Sequence, residues 1–100
     1  MSSVVVSAVS ELQQVLTAEY GPFLRHHQVA EVLSVSPESL SNTLRRSREP
    51  NVVYLRLKKL RFGRRVRYSA ISVAEALALD HGEIKRRLQA SDEGGSVHDA

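Results

Sequence analysis

The stretch Gln28-Val29-Ala30-Glu31-Val32-Leu33-Ser34-Val35-Ser36-Pro37-Glu38-Ser39-Leu40-Ser41-Asn42-Thr43-Leu44-Arg45-Arg46 reads as two short helices joined by a tight turn. Val29, Val32 and Leu33 recur at helical spacing, as do Leu40 and Leu44 beyond the break, so each half has one stripe to bury. Ala30 is small enough to stand where two such helices cross. Ser36 offers its hydroxyl as a cap for the second helix, and Pro37 suits the first helical position, where no amide donor is missed. Glu38 complements the positive end of that helix.

The pair resembles the helix-turn-helix of bacterial and phage DNA-binding proteins, in which the second helix, here about residues 37–46, is the recognition helix. Its outward candidates for base edges are Ser39, Ser41, Asn42, Arg45 and Arg46, beside Glu38. Asparagine matches adenine and arginine matches guanine through paired hydrogen bonds in the major groove. A helical hairpin with no nucleic-acid partner packs in the same way, so the chain beyond Arg46 decides between the two.

Charge falls in blocks. Residues 1–44 carry Arg25 against Glu11, Glu19, Glu31 and Glu38, a net −3. Residues 45–67 carry ten cations, Arg45, Arg46, Arg48, Arg56, Lys58, Lys59, Arg61, Arg64, Arg65 and Arg67, against Glu49 alone, a net +9. The remainder returns to −3, for +3 overall. So dense a block repels itself unless a polyanion accepts it, and it begins where the recognition helix ends.

The 100 residues, 42% of them hydrophobic, suit one small domain with a modest core. No cysteine is present, which excludes disulfides and thiolate metal sites, and no apolar run approaches the ~18 residues of a membrane span. A cytoplasmic, nucleoid-associated protein is expected. His26 and His27 would diverge by ~100° on a helix and cannot share a metal, so both are expected at the surface or facing phosphates. No metal, cofactor or small-molecule ligand is expected. With no phosphate-cradling glycine loop, paired carboxylates or Ser-His-Asp set, no enzyme reading emerges.

Before the pair, Val5, Val9, Leu12 and Leu16 predict an amphipathic helix from about Ser3 to Glu19, although its valines and a capping box at Ser10 and Gln13 allow a start as late as Ser10. Gly21 and Pro22 end it. This helix is either a cover for the core or a contact for a second copy or a partner. Phe23 and Leu24 would dock on the core. After the pair, Pro50 blocks a helical return, and Val52 to Leu57 reads as a strand or extended arm. Leu60 and Phe62 then alternate with Lys59 and Arg61, Gly63 permits a turn, and Val66 and Tyr68 alternate with Arg65 and Arg67. That pattern predicts a two-stranded hairpin, apolar on one face and arginine-rich on the other, with Tyr54, Phe62 and Tyr68 turned inward. Ser69 caps a closing helix through Ile71, Val73, Ala74, Leu77 and Ala78, which Ile84 and Leu88 continue past Gly82. Lys85, Arg86 and Arg87 favour its C-terminal dipole, and from Ser91 the composition reads as a flexible acidic tail.

The run Leu-Arg-Phe-Gly-Arg-Arg-Val-Arg-Tyr-Ser (60–69) resembles the wing of the excisionase and AlpA-like group within the MerR-like superfamily. The resemblance spans about residues 23–79, with Ser34 where the family usually has glycine and a longer connection from Arg46 to Leu60. It implies a mainly α fold with a small β-hairpin wing: a winged helix-turn-helix with an extra N-terminal helix and a C-terminal closing helix. The expected division is an N-terminal helix and cap in 1–21, a DNA-binding domain in 22–90 and the tail in 91–100. It further implies a phage or mobile-element directionality factor or transcription regulator that binds double-stranded DNA. The wing, about residues 58–68, would lay Lys58, Lys59, Arg61, Arg64, Arg65 and Arg67 along phosphates or into the minor groove, helped by Arg25 and Arg48. A rival reading is a protein-interaction adaptor that engages an integrase, polymerase or toxin through its N-terminal helix, with DNA binding secondary. A structured-RNA binder is disfavoured, because inward aromatics offer no stacking platform.

Overall fold

The computed structural model describes the backbone of residues 2–99 and the side chains of residues 7–90. The chain runs α1 (Ser2–Tyr20), β1 (Phe23–Arg25), α2 (His26–Val32), α3 (Pro37–Arg46), α4 (Pro50–Lys58), β2 (Leu60–Phe62), β3 (Arg65–Ser69), α5 (Ala70–Ala78) and α6 (His81–Asp99). It is mainly helical, with one small antiparallel sheet in the order β1-β3-β2.

The two central helices form as the sequence predicts. Val29 and Ala30 of α2 and Leu40 and Leu44 of α3 are buried. Ser36 accepts a hydrogen bond from the Ser39 amide at 3.1 Å, with Pro37 in the first turn. The turn between them closes as a Schellman motif: the Val35 amide donates to the Ala30 carbonyl at 2.9 Å and the Ser34 amide to Glu31 at 3.1 Å. That geometry places Ser34 at φ 59°, a left-handed conformation that costs a residue with a Cβ about 1–2 kcal/mol. Ser34 is exposed and its hydroxyl forms no hydrogen bond among the described residues, so Ser34→Gly is expected to stabilise the fold by about 0.5–1 kcal/mol. Thermal unfolding checks this, with Ser34→Ala, which keeps the Cβ, giving no gain.

Several expectations change. Residues 52–57 are helical, within α4, rather than a strand or arm. Pro50 starts this helix instead of blocking it, because Glu49 takes the extended geometry that a following proline imposes (ψ 136°) and serves as the N-cap. Burial of Tyr54 and Leu55, with Val52 packed behind them, outweighs the β-propensity of the valines. The closing segment breaks in two at Leu79-Asp80, where the Asp80 carboxylate accepts from the Glu83 amide at 2.8 Å and restarts the chain as α6. The backbone of the segment expected as a tail belongs to α6 as far as Asp99. At the other end, α1 runs from Ser2 to Tyr20, in line with the expected span of about Ser3 to Glu19 and without the later start allowed at Ser10.

The core gathers Leu16, Leu24, Val29, Leu40, Leu44, Tyr54, Leu55, Tyr68, Val73 and Ile84 from seven of these elements and the start of α6. Helix α1 packs along α5 through Leu16, with Val9, Leu12 and Tyr20 beside it, so its apolar stripe is used as a cover. Among the described residues, its far face, where Val15 is exposed, is left for any other contact, and Val5 lies outside the described side chains. Asn51 locks α4 to the end of α5: its amide nitrogen donates to the carbonyls of Ala76 (2.6 Å) and Leu79 (3.0 Å). On the same side the Tyr54 hydroxyl donates to Glu75 at 2.8 Å, and Glu75 also holds Arg87 at 2.8 Å. Burial, then the bond to Glu75, raises the Tyr54 pKa above its ordinary value. No helix among the described residues is long and apolar enough to cross a membrane.

Candidate nucleic-acid interface

The hairpin departs from the sequence reading in its register. Gly63 at φ 63° and Arg64 form a two-residue loop of the kind that suits a type II′ turn, and this pairs Phe62 with Arg65, Arg61 with Val66 and Leu60 with Arg67. Directly paired residues share a face, so a two-residue loop puts β2 and β3 out of step with the apolar alternation read along the chain. The expected apolar and basic faces do not exist. One face carries Arg61, Val66 and Tyr68; the other carries Leu60, Phe62, Arg65 and Arg67. The sheet also has a third strand, unforeseen in the sequence: β1 pairs with β3, setting Leu24 opposite Tyr68 and Arg25 opposite Arg67. Leu24 and Tyr68 are the buried anchor of the sheet, at 0% and 1% exposure, whereas Phe62, expected inward, is 86% exposed.

Strand β1 thereby brings Arg25 from the acidic first block beside Arg67 of the basic one. Two cations facing each other across a pair of strands repel. Arg61, Arg64 and Arg65 are exposed around the tip, and Arg67 is half-buried with its guanidinium on the Val66 carbonyl (2.9 Å).

Between the hairpin and α3 lies an open cleft of about 380 Å³ lined by His26, Ser41, Leu44, Arg45, Arg56, Lys59, Val66 and Tyr68. Three of these are cations and none is a carboxylate. Ser41 and Arg45, one turn apart, turn toward the cleft, while Ser39, Asn42 and Arg46 are exposed away from the buried Leu40 and Leu44 stripe, with Glu38 among them. Asn42 accepts a hydrogen bond from Arg45. The cleft and the exposed side of α3 together contain all five candidate base readers.

His26 is not the surface residue the sequence suggested. It is half-buried, and its Nε2 lies 3.0 Å from the Pro37 carbonyl and 3.0 Å from Ser41 Oγ. A carbonyl only accepts, so Nε2 is the protonated ring nitrogen in this arrangement, and Nδ1 accepts a hydrogen bond from the Tyr68 hydroxyl at 3.1 Å. Burial raises the Tyr68 pKa and keeps that hydroxyl a donor. The histidine thus links the central strand to the first turn of α3. Arg56, also missed as a positioning residue, donates to the Leu44 carbonyl at 2.9 Å and neutralises the negative end of α3. An extended Val52 to Leu57, as the composition suggests, hides this role; as a helix, the segment faces Arg56 toward α3.

The remaining phosphate candidates are dispersed. Arg48 is exposed beyond α3, Lys59 lines the cleft, and Lys58 sits over the Tyr54 ring with Nζ 5.4 Å from its centre. The Lys85-Arg86-Arg87 run stands within α6 rather than at a helix end, and its arginines are neutralised locally: Arg86 and Arg87 reach Glu83 at 2.6 and 3.0 Å. Glu83 is held below its ordinary carboxylate range by Arg86 and then Arg87, while Glu83, Tyr54 and Glu75 hold Arg87 firmly protonated. Among the described residues every ion pair lies in this cluster, and no cation of the 45–67 block touches a carboxylate. The chain matches no protein-family model, no curated protein and no solved structure.

Proposed function

We propose that this chain is a sequence-specific double-stranded DNA-binding protein of winged helix-turn-helix form, with α3 as recognition helix and β2–β3 as wing. The observation that carries this reading is the segregation of charge. The cations of residues 45–67 lack carboxylate partners among the described residues and surround α3, the cleft and the hairpin, whereas the arginines of α6 are paired. Unpaired cations beside an exposed polar helix suit phosphates flanking a groove. The resemblance of residues 60–69 to an excisionase-type wing extends this proposal to a cytoplasmic, nucleoid-bound directionality factor or transcription regulator.

On this reading α3 lies in the major groove, with Asn42, Arg45 and Arg46 against base edges and Ser39 and Ser41 alongside. The hairpin takes the adjoining backbone through Arg61, Arg64 and Arg65, and the Arg25–Arg67 pair accepts a further phosphate that relieves its own repulsion. Titration of the protein against duplex DNA at several salt concentrations tests this. About six neutralised phosphates give a slope of log K on log salt near −5. A slope near zero, or no binding at ~0.1 M salt, removes the reading. Selection of sites from a random duplex library, repeated with Asn42→Ala, tests base readout. That variant is expected to lose about 1–3 kcal/mol of preference for the selected site while binding unrelated duplex almost as before; equal losses on both would contradict a reading role for Asn42.

A further inference from the structure

The most exposed large apolar side chain among the described residues is not on the helical body but at the hairpin tip. Phe62 is 86% exposed, next to the Gly63-Arg64 turn and directly across from Arg65. Exposure rises along the hairpin from Tyr68 at 1%, through Leu60 at 48%, to Phe62. Three strand positions separate the level of Tyr68 from that of the Phe62–Arg65 pair, so the backbone at Phe62 lies about 10 Å along the strands from the buried anchor.

A phenylalanine that shares its face with Arg65 and Arg67 and stands beside the turn at Arg64 is a poor site for an apolar protein partner, which would have to desolvate those cations. A polyanion with an apolar interior meets both demands, and duplex DNA is one: phosphates line the groove and base faces lie beneath. Resting on the DNA-binding reading above, we propose that Phe62 is a wedge, which the arginines deliver into the minor groove and which inserts between adjacent base pairs, unstacking one step and kinking the duplex. Pyrimidine–purine steps, which unstack most readily, are the preferred point of insertion. Leu60, on the same face, follows Phe62 to the groove edge.

The sequence contains no tryptophan, which makes Phe62→Trp a single optical probe of this contact. The test uses the full chain and a duplex of about 30 bp with central TA and CA steps, labelled at both ends, so that anisotropy reports binding and energy transfer reports end-to-end distance. The wild-type protein and Phe62→Trp are expected to bind and to shorten that distance, and the Phe62→Trp emission is expected to be quenched by base stacking. Phe62→Ala is expected to keep the same salt slope and thermal stability but lose the shortening. Its affinity should fall about tenfold on the intact duplex and less than threefold on one already kinked by a central two-base bulge, where unstacking is prepaid. Equal shortening by wild type and Phe62→Ala, or an unquenched Phe62→Trp in a bound complex, overturns the wedge while leaving DNA binding intact. A loss of binding cooperativity or of sedimenting mass in Phe62→Ala, with the bend unchanged, overturns it in favour of a contact between two copies. Absence of wild-type binding overturns the DNA-binding reading, and the wedge with it.

Discussion

The triple variant Arg61→Ala/Arg64→Ala/Arg65→Ala is expected to bind duplex DNA two to three orders of magnitude more weakly than wild type at ~0.1 M salt, with a salt slope flatter by about 2.7. Each phosphate neutralised on B-DNA contributes about −0.9 to that slope and, at this salt, nearly a factor of ten to affinity. The three side chains are exposed and make no ion pair among the described residues, so their removal costs the fold little and lowers self-repulsion. Thermal stability is therefore expected to be unchanged or higher, which separates loss of binding from loss of structure. Arg86→Ala is the matched control: it also removes an exposed cation, but one neutralised by Glu83 and remote from the hairpin, and its affinity should match wild type. An unchanged slope in the triple variant would mean that the wing does not meet phosphates.

The parts of this surface that are legible in the sequence are those set by local chemistry. Ser36 and Pro37 start α3 wherever they occur before an apolar stripe, and the density of cations from Arg45 to Arg67 is independent of fold. What could not be read depended on contacts across the chain. Val52, Val53 and Tyr54 have the composition of a strand, and only burial of Tyr54 and Leu55 against α5 and α6 makes them helical. Three residues are too few for periodicity to mark β1, which exists because β3 offers it a partner. The hairpin faces followed from turn length: alternation fixes which residues share a face within a strand, whereas the two residues at Gly63-Arg64 fix which face of β2 meets which of β3. The consequence bears on function, since it sends Phe62 and Arg65 outward together and turns Arg61 toward the side of the cleft. The long connection between Arg46 and Leu60 is likewise explained. It holds a helix that braces the end of α3 through Arg56 and sets the hairpin at its distance from α3.

Tyr68→Ala is expected to have the largest effect on stability, about 3–5 kcal/mol, against a total of about 5–15 kcal/mol for a domain of this kind. Tyr68 is the largest fully buried side chain among the described residues and sits in the central strand opposite Leu24. Its ring lies against His26, centroids 6.1 Å apart, and its hydroxyl reaches the histidine that touches Pro37 and Ser41. Removing it opens a cavity beneath the sheet and cuts the link between the hairpin and α3 together. Tyr68→Phe separates these effects: the ring keeps its packing, His26 Nδ1 loses its donor, and the expected cost is about 1 kcal/mol. Chemical denaturation of both variants measures the difference, and Tyr68→Phe, which remains folded, can also be titrated with DNA. If the His26 link sets the distance between wing and recognition helix, Tyr68→Phe weakens binding to a selected site more than to random duplex, because only the selected site requires both elements in register. A Tyr68→Ala loss below about 1 kcal/mol would show that the sheet is not anchored through this ring. Equal costs for the two variants would move the anchor from packing to the hydrogen bond.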